Sequence, residues 1–354
     1  MTIFNNKIND LLKINSYSLT KEKKKNFFLK TFKLLNKYHS KNCKNYSLII
    51  KKIPIFNSSS FKNLPTLPVR IFKDFEMKNS KSKIIKILNS SGTSGKLSKI
   101  FLDKDNAKNQ TLVLKKLFHD NFGEKRFPML IAESKPSKQK NFNASYAAIL
   151  GFSIFGKNHT YMLNEDGSIN YSGINLFLKN NVNEKKFIFG FTSKIYQVLI
   201  KNLDDSKIRH SFNNSFILHG GGWKNLERLK ISNQKYKSMI KKKLKINQVY
   251  NYYGLVEQTG SVFFECSVEN HFHCSNFSEI LIRDKNLNTL KKNRKGIVQL
   301  CSILPTSYPG HNILTEDIGI VKGEDDCSCG KKGKYFKILG RVKSAELRGC
   351  SDVI

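Results

Sequence analysis

No run of about 18 apolar residues occurs in this 354-residue sequence, so a spanning helix is not expected. The opening residues, MTIFNNKINDLLK, lack the positive-then-apolar pattern and small-residue cleavage site of a secretory leader. A cytoplasmic address is expected. Acidic residues are scarce: 27 Asp and Glu stand against 62 Lys and Arg, a net charge of +35. Such an excess normally suggests nucleic acid or another anionic surface. Here the lysines travel with Asn, Ile and Phe along the whole chain. That spread suits a solvated surface under a general compositional bias, and a nucleic-acid partner is not expected. The seven cysteines are odd in number and no export signal accompanies them, which argues against a disulfide framework. Thiol chemistry and metal binding remain for them.

What is present suffices for a core. Hydrophobic residues make up 39%, with 26 Phe and 13 Tyr, and a chain of about 300 residues buries roughly 75% of its unfolded surface. Residues 1–80 read as a helical segment packed on the main domain, because Phe28, Phe32 and Leu35 recur at helical spacing. Pro65, Thr66 and Pro68 break the chain before PVRIFKDFEM, which reads as extended and then helical. In 81–254 the apolar runs FPMLIAES, AAILGFSIFG, KKFIFGFTS and SFILHGGG alternate with lysine-rich helical stretches. This βαβα rhythm predicts an α/β layer fold. In 255–340 the pattern turns strand-like (GSVFFEC, SEILIRD, KGIVQLC, EDIGIVKG, KYFKILGR), predicting a smaller β-rich subdomain. Residues 341–354 form a tail. The Phe-rich runs FIFGF and ILGFSIFG suggest an apolar pocket.

Several short segments carry chemistry. Ser90, Ser91, Gly92, Thr93, Ser94, Gly95 and Lys96 follow one strand pattern and precede another. Glycines and hydroxyls in a tight loop expose N–H and O–H donors that can wrap a polyphosphate. A Walker loop would need glycine at position 90 and a helix after the lysine, and neither is present. Gly220, Gly221 and Gly222 end the strand SFIL, where a flat ring can approach the backbone of an open α/β sheet. Tyr253, Gly254 and Glu257 form a YGxxE segment, Thr315 to Asp317 a TxD, and Gly340–Arg341 a GR pair. Read singly, each is an ordinary turn with solvated charges.

Taken together and in this order, the segments resemble the phosphate loop, glycine strand, Y-G-x-[TS]-E, T-G-D and G-R motifs of the adenylate-forming superfamily. PVRIFKDFE, GGWK and the ending ELRGC are similar to its acyl-protein synthetase (LuxE-like) branch. The resemblance covers roughly residues 65–354 and implies the N-terminal domain of an adenylate-forming enzyme. It implies ATP and Mg²⁺ as cofactors: the loop and Lys96 on the phosphates, the glycines and Tyr253 against adenine, Asp317 and Arg341 on ribose, and Glu257 as the Mg²⁺ ligand. Val256 stands where the family usually has a hydroxyl, and Glu316 where it has glycine. The chain ends soon after Arg341, which is read as the truncated form without the usual C-terminal domain. Cys350 then becomes the expected acyl acceptor, in an RGC context close to the end.

A separate pattern concerns metal. Cys266 and His273 (FECSVENHFH) and Cys327 and Cys329 (CSCGKKG) supply two N/S pairs able to close a structural Zn²⁺ site. His271 and Cys274 are nearby alternatives. The expected activity is ATP-dependent conversion of a carboxylic acid, of fatty type, to acyl-AMP, then transfer to a protein cysteine. Transfer to coenzyme A or a carrier protein is the alternative. A basic zinc-containing nucleic-acid module is the reading from a different class. An acyl-reductase, acyl-transferase or acyl carrier is the expected kind of partner.

Overall fold

The computed structural model describes residues 2–53, 60–90, 96–136, 144–223, 229 and 231–342. They fall into two compact units. The first combines the described residues up to Gly123 with those from Tyr253 onward, and the second spans Glu124–Tyr252.

The first unit begins with helices α1 (Thr2–Leu12), α2 (Lys21–Asn42) and α3 (Lys44–Ile50). Phe28, Phe32 and Leu35 form the buried stripe of α2, as their spacing predicts. PVRIFKDFEM gives the short strand β1 (Leu67–Pro68) and the single turn α4 (Ile71–Asp74). Next come the antiparallel strands β2 (Ile84–Asn89) and β3 (Lys99–Asp103), with the phosphate-loop sequence between them. Asp103 then caps α5 (Lys104–Phe122) by accepting from the Asn106 amide, which satisfies one of the free donors of the first turn.

The second unit is a parallel sheet. Its elements are β4 (Phe127–Ser134), α6 (Ala144–Ser153), β5 (Gly156–Leu163), α7 (Tyr171–Asn180), β6 (Lys186–Phe191), α8 (Thr192–Ile195, continuing as a π-helix to Asn202), β7 (Ser215–Gly220), α9 (Asn233–Leu244) and β8 (Gln248–Gly254). The strands lie in the order β5-β4-β6-β7-β8. Every residue of β6 and β7 is buried, the signature of parallel strands covered on both faces. One apolar run departs from expectation: AAILGFSIFG lies mostly in α6. A short apolar run does not distinguish a strand from a buried helix, and only the tertiary context decides. Phe187, Phe189 and Phe216 are fully buried, with Phe187 and Phe216 stacked at 4.9 Å, so these rings fill the core.

The chain then returns to the first unit with β9 (Val262–Phe264), β10 (Phe272–His273), β11 (Ser278–Arg283), β12 (Gly296–Ser302), β13 (Asn312–Glu324) and β14 (Lys334–Arg341). Strands β10 to β14 form a sheet in the order β10-β14-β13-β12-β11, and β1 joins β13 in parallel. This is the expected β-rich region. Residues 81–123 pack with it: Leu88 of β2 and Ile100 and Leu102 of β3 share a core with Tyr308 and Ile313.

Candidate active site

In the first unit, two motifs far apart in sequence become neighbours. The register of β13 and β14 sets Asp317 opposite Arg341 and Ile318 opposite Gly340. The Arg341 Nε lies 3.6 Å from Asp317 Oδ1, and a terminal nitrogen of Arg341 lies 2.8 Å from Glu316 Oε2. The Asp317 amide donates to Thr315 Oγ1 at 3.0 Å, and Thr315 Oγ1 donates to the Val298 carbonyl at 2.8 Å. The Tyr253 hydroxyl donates to Asp317 Oδ2 at 2.6 Å. Burial first, then the Asp317 charge, pushes the Tyr253 phenol well above its ordinary range, so it stays a donor.

The surroundings of Tyr253 are tight. Its ring is fully buried, stacked on Phe263 and flanked by Phe272 and Phe336. Its hydroxyl, at the far end of the ring, holds Asp317 Oδ2.

Glu257 is also buried, just beyond Gly254 at the end of β8. The Ser98 hydroxyl donates to Glu257 Oε1 at 2.9 Å. Ser98 lies at the neck of the phosphate loop, opposite Ser90. The Ser98 amide donates to Ser90 Oγ at 3.0 Å, and the Ser90 amide donates to the Ser98 carbonyl at 3.2 Å. Ser90 thus closes the neck of the loop. Lys96 is exposed beside the neck. Ser91, Gly92, Thr93, Ser94 and Gly95 lie outside the described residues, as does Cys350.

In the second unit, the glycine segment sits at the carboxyl end of β7, beside the carboxyl ends of β6 and β8. That is where open α/β sheets take ligands. A side chain at Gly220 would strike the Tyr252 ring at 2.2 Å, and Gly221 has φ +68°. Both positions therefore require glycine. Thr192 Oγ1 lies 2.8 Å from the Gly221 carbonyl and 2.9 Å from His219 Nδ1. One hydroxyl proton serves the carbonyl, so His219 donates from Nδ1 and keeps Nε2 as an acceptor. Burial, aided by the Lys237 charge, lowers the His219 pKa to about 3 and keeps the ring neutral. A small cavity opens here, lined by Thr192, His219, Gly221, Gly222, Tyr236 and Asn251 among others.

Comparison with known proteins decides the family. No curated protein matches the sequence. The family model described as "Acyl-protein synthetase, LuxE" matches residues 2–354. The chain belongs to the LuxE acyl-protein synthetase family. Among solved structures, 2-hydroxyisobutyryl-CoA ligase in an open conformation with 2-HIB-AMP and CoA is similar over 93% of this chain and 77% of its own. The TM-score is 0.70 at 12% identity. The same enzyme in its postadenylation state gives 0.69 at 11% identity, over 93% and 70%. The fold of this LuxE-family chain is thus that of the N-terminal domain of adenylate-forming enzymes, and the family places it among AMP-forming ligases. None of the helices described is long and apolar enough to cross a membrane.

The two departures of this LuxE-family chain from the superfamily motifs both have structural uses. Glu316, in place of glycine, holds Arg341 and also pairs with Arg70 of the PVRIFKDFE segment. Val256, in place of a hydroxyl, packs on the core around Tyr308. Sequence reasoning missed Ser98 and Arg70 as site residues. The one advance signal for Ser98 was its place at the end of the phosphate-loop pattern.

The Cys/His pairs also converge. The ligand atoms of Cys266, His273, Cys327 and Cys329 all lie within 4.8 Å of one another. Cys329 Sγ is 3.4 Å from His273 Nε2. Burial, with the Lys331 charge, lowers the His273 pKa to about 3, which keeps the ring in the neutral, ligating form. Burial pushes the Cys327 thiol up to about 12, whereas for Cys266 burial is outweighed by backbone amides and Lys331, and the net shift is downward.

Proposed function

We propose that this LuxE-family protein activates a carboxylic acid of fatty type as its acyl-adenylate and passes the acyl group to a cysteine thiol. The observation that carries the reading is the hydrogen bond tying Glu257 of the YGxxE segment to Ser98 at the neck of the phosphate loop. This bond supports the reading because it sets a carboxylate of the kind suited to Mg²⁺ beside Ser98, which closes the neck of the phosphate-loop sequence. In the first step a carboxylate oxygen attacks the α-phosphorus of ATP. The bond from that phosphorus to the bridging oxygen breaks, and pyrophosphate leaves. In the second step a thiolate attacks the acyl carbonyl, the bond to the phosphate oxygen breaks, and AMP leaves.

The residues take these roles. The loop 90–96 receives the phosphates, with Lys96 as its cation. Asp317, oriented by Tyr253 and Thr315, accepts from the ribose hydroxyls, and Arg341, steadied by Glu316, adds positive charge beside it. The segment Gly220–Gly222 accepts the base. Glu257 holds Mg²⁺, which neutralises phosphate charge when bound. Hydroxylamine trapping tests the reading: acid, ATP, Mg²⁺ and protein should yield the acyl hydroxamate. No hydroxamate from any fatty acid tried would remove the fatty-acid part.

The four-residue Cys/His cluster fits a structural Zn²⁺. Tetrahedral zinc with bonds of about 2.0–2.3 Å sets its ligands roughly 3.5 Å apart, so small side-chain shifts close the cluster on the ion. Purified protein should carry about one zinc per chain, the count that four ligands closing one site imply. The Cys327→Ser/Cys329→Ser double variant should lose the zinc. Its Tm should fall by roughly 5 °C or more, given about 2–4 °C per kcal/mol in domains of 150–250 residues and the folding energy such sites supply. Zinc retained by that variant, or absent from the wild type, rejects the site.

A further inference from the structure

Glu257 is fixed at both ends of its residue, and the two fixings come from different parts of the chain. At the backbone end, the buried Tyr308 hydroxyl donates to the Glu257 carbonyl at 3.2 Å and accepts from the Thr259 amide at 2.9 Å. Phe72 packs edge-on against the Tyr308 ring at 5.9 Å. At the carboxylate end stands Ser98, with no exposed surface. Its amide and carbonyl are both engaged by Ser90, and Lys99 beside it is in register with Asn89. Ser90 and Ser98 therefore add a rung to the β2–β3 ladder. The Ser98 hydroxyl is held by backbone bonds and points at Glu257 Oε1 from 2.9 Å.

A carboxylate that must meet a cation in one geometry gains from such a donor. The hydrogen bond removes side-chain freedom before the cation arrives. We propose that Ser98 is a positioning residue, which holds the Glu257 carboxylate in register with the phosphate loop so that Mg²⁺ and the nucleotide phosphates are bound as one unit. This rests on the reading of Glu257 as the Mg²⁺ ligand. The competing explanation is that Ser98 only satisfies a buried carboxylate. That role would affect stability and leave metal dependence alone.

Calorimetric titration of the full chain with ATP separates the two. It is done once with Mg²⁺ and once with a chelator, and the ratio of the two affinities is the Mg²⁺ contribution. Outer partners of metal ligands typically contribute about 10–100-fold in metal affinity or activity. Ser98→Ala should therefore cut the Mg²⁺ contribution by about tenfold and leave affinity for ATP with chelator unchanged. In the Glu257→Gln background, Ser98→Ala should have almost no further effect, because the two act through one ligand. Ser98→Thr keeps the hydroxyl and should restore the wild-type ratio. Ser98→Cys offers only a weak donor and gives the same reading if the alanine chain fails to fold. A wild-type ratio in both Ser98→Ala and Ser98→Cys overturns the proposal. If Glu257→Gln itself leaves the ratio unchanged, the assignment of Glu257 fails as well, and the two failures are thereby distinguished.

Discussion

Glu257→Gln should lower acid-dependent ATP–pyrophosphate exchange by about 10²-fold or more, the scale on which removing one preorganised electrostatic group acts. The change is nearly isosteric, so the buried pocket keeps its shape and the loss is one of charge. The carbonyl oxygen of the introduced amide could still accept from Ser98, and the Tyr308 contacts, which involve the backbone, would remain. The protein should thus melt near the wild-type temperature while exchange collapses. An amide is a poor Mg²⁺ ligand beside a carboxylate, and the charge on the phosphate oxygens and the leaving pyrophosphate would lose part of its neutralisation. Exchange at wild-type rate in Glu257→Gln would show that the carboxylate serves only the hydrogen-bond network.

Cys350→Ser should abolish covalent labelling of the protein by radiolabelled acid and ATP while pyrophosphate exchange continues. The two halves of this outcome separate the two chemical steps. Adenylate formation needs the nucleotide site, whereas acyl transfer needs a thiolate. A serine hydroxyl stays protonated at neutral pH and is the poorer nucleophile. Arg348, two residues before it, and the net charge of +35 favour the thiolate form of a cysteine in this context. In the wild type, neutral hydroxylamine should release the label, as it does a thioester. Full labelling of Cys350→Ser moves the acceptor to another residue. No label on the wild type, together with acid-dependent turnover of coenzyme A, selects the alternative in which the acyl group leaves on a free thiol.

Much of the architecture was legible in the sequence, for identifiable reasons. The strands β4, β6 and β7 are short, mainly apolar runs, and such runs in alternation with helices have few other solutions. The Cys/His cluster could be read because ligand types and short spacings within each pair limit the possible sites, and the fold brings Cys266, His273, Cys327 and Cys329 together. The segment AAILGFSIFG misled because it has an apolar content that suits either a core strand or a buried helix. The setting of Tyr253 was not legible, because a motif fixes its place in the chain but not its surroundings. Phe263, Phe272 and Phe336 come from strands well beyond it and close over its ring. Ser98 and Arg70 were hidden for a related reason. Each matters through a partner distant in sequence, Glu257 in one case and Glu316 in the other. No local pattern encodes such pairs.

The central claim is acid activation at the expense of ATP, and exchange of labelled pyrophosphate into ATP across a panel of short, long and aromatic carboxylic acids tests it most directly. The purified chain with Mg²⁺ should show exchange that depends on the acid, is strongest with fatty acids, and disappears when Mg²⁺ is chelated. Exchange with none of the panel, from protein that is folded and binds ATP, would contradict the account.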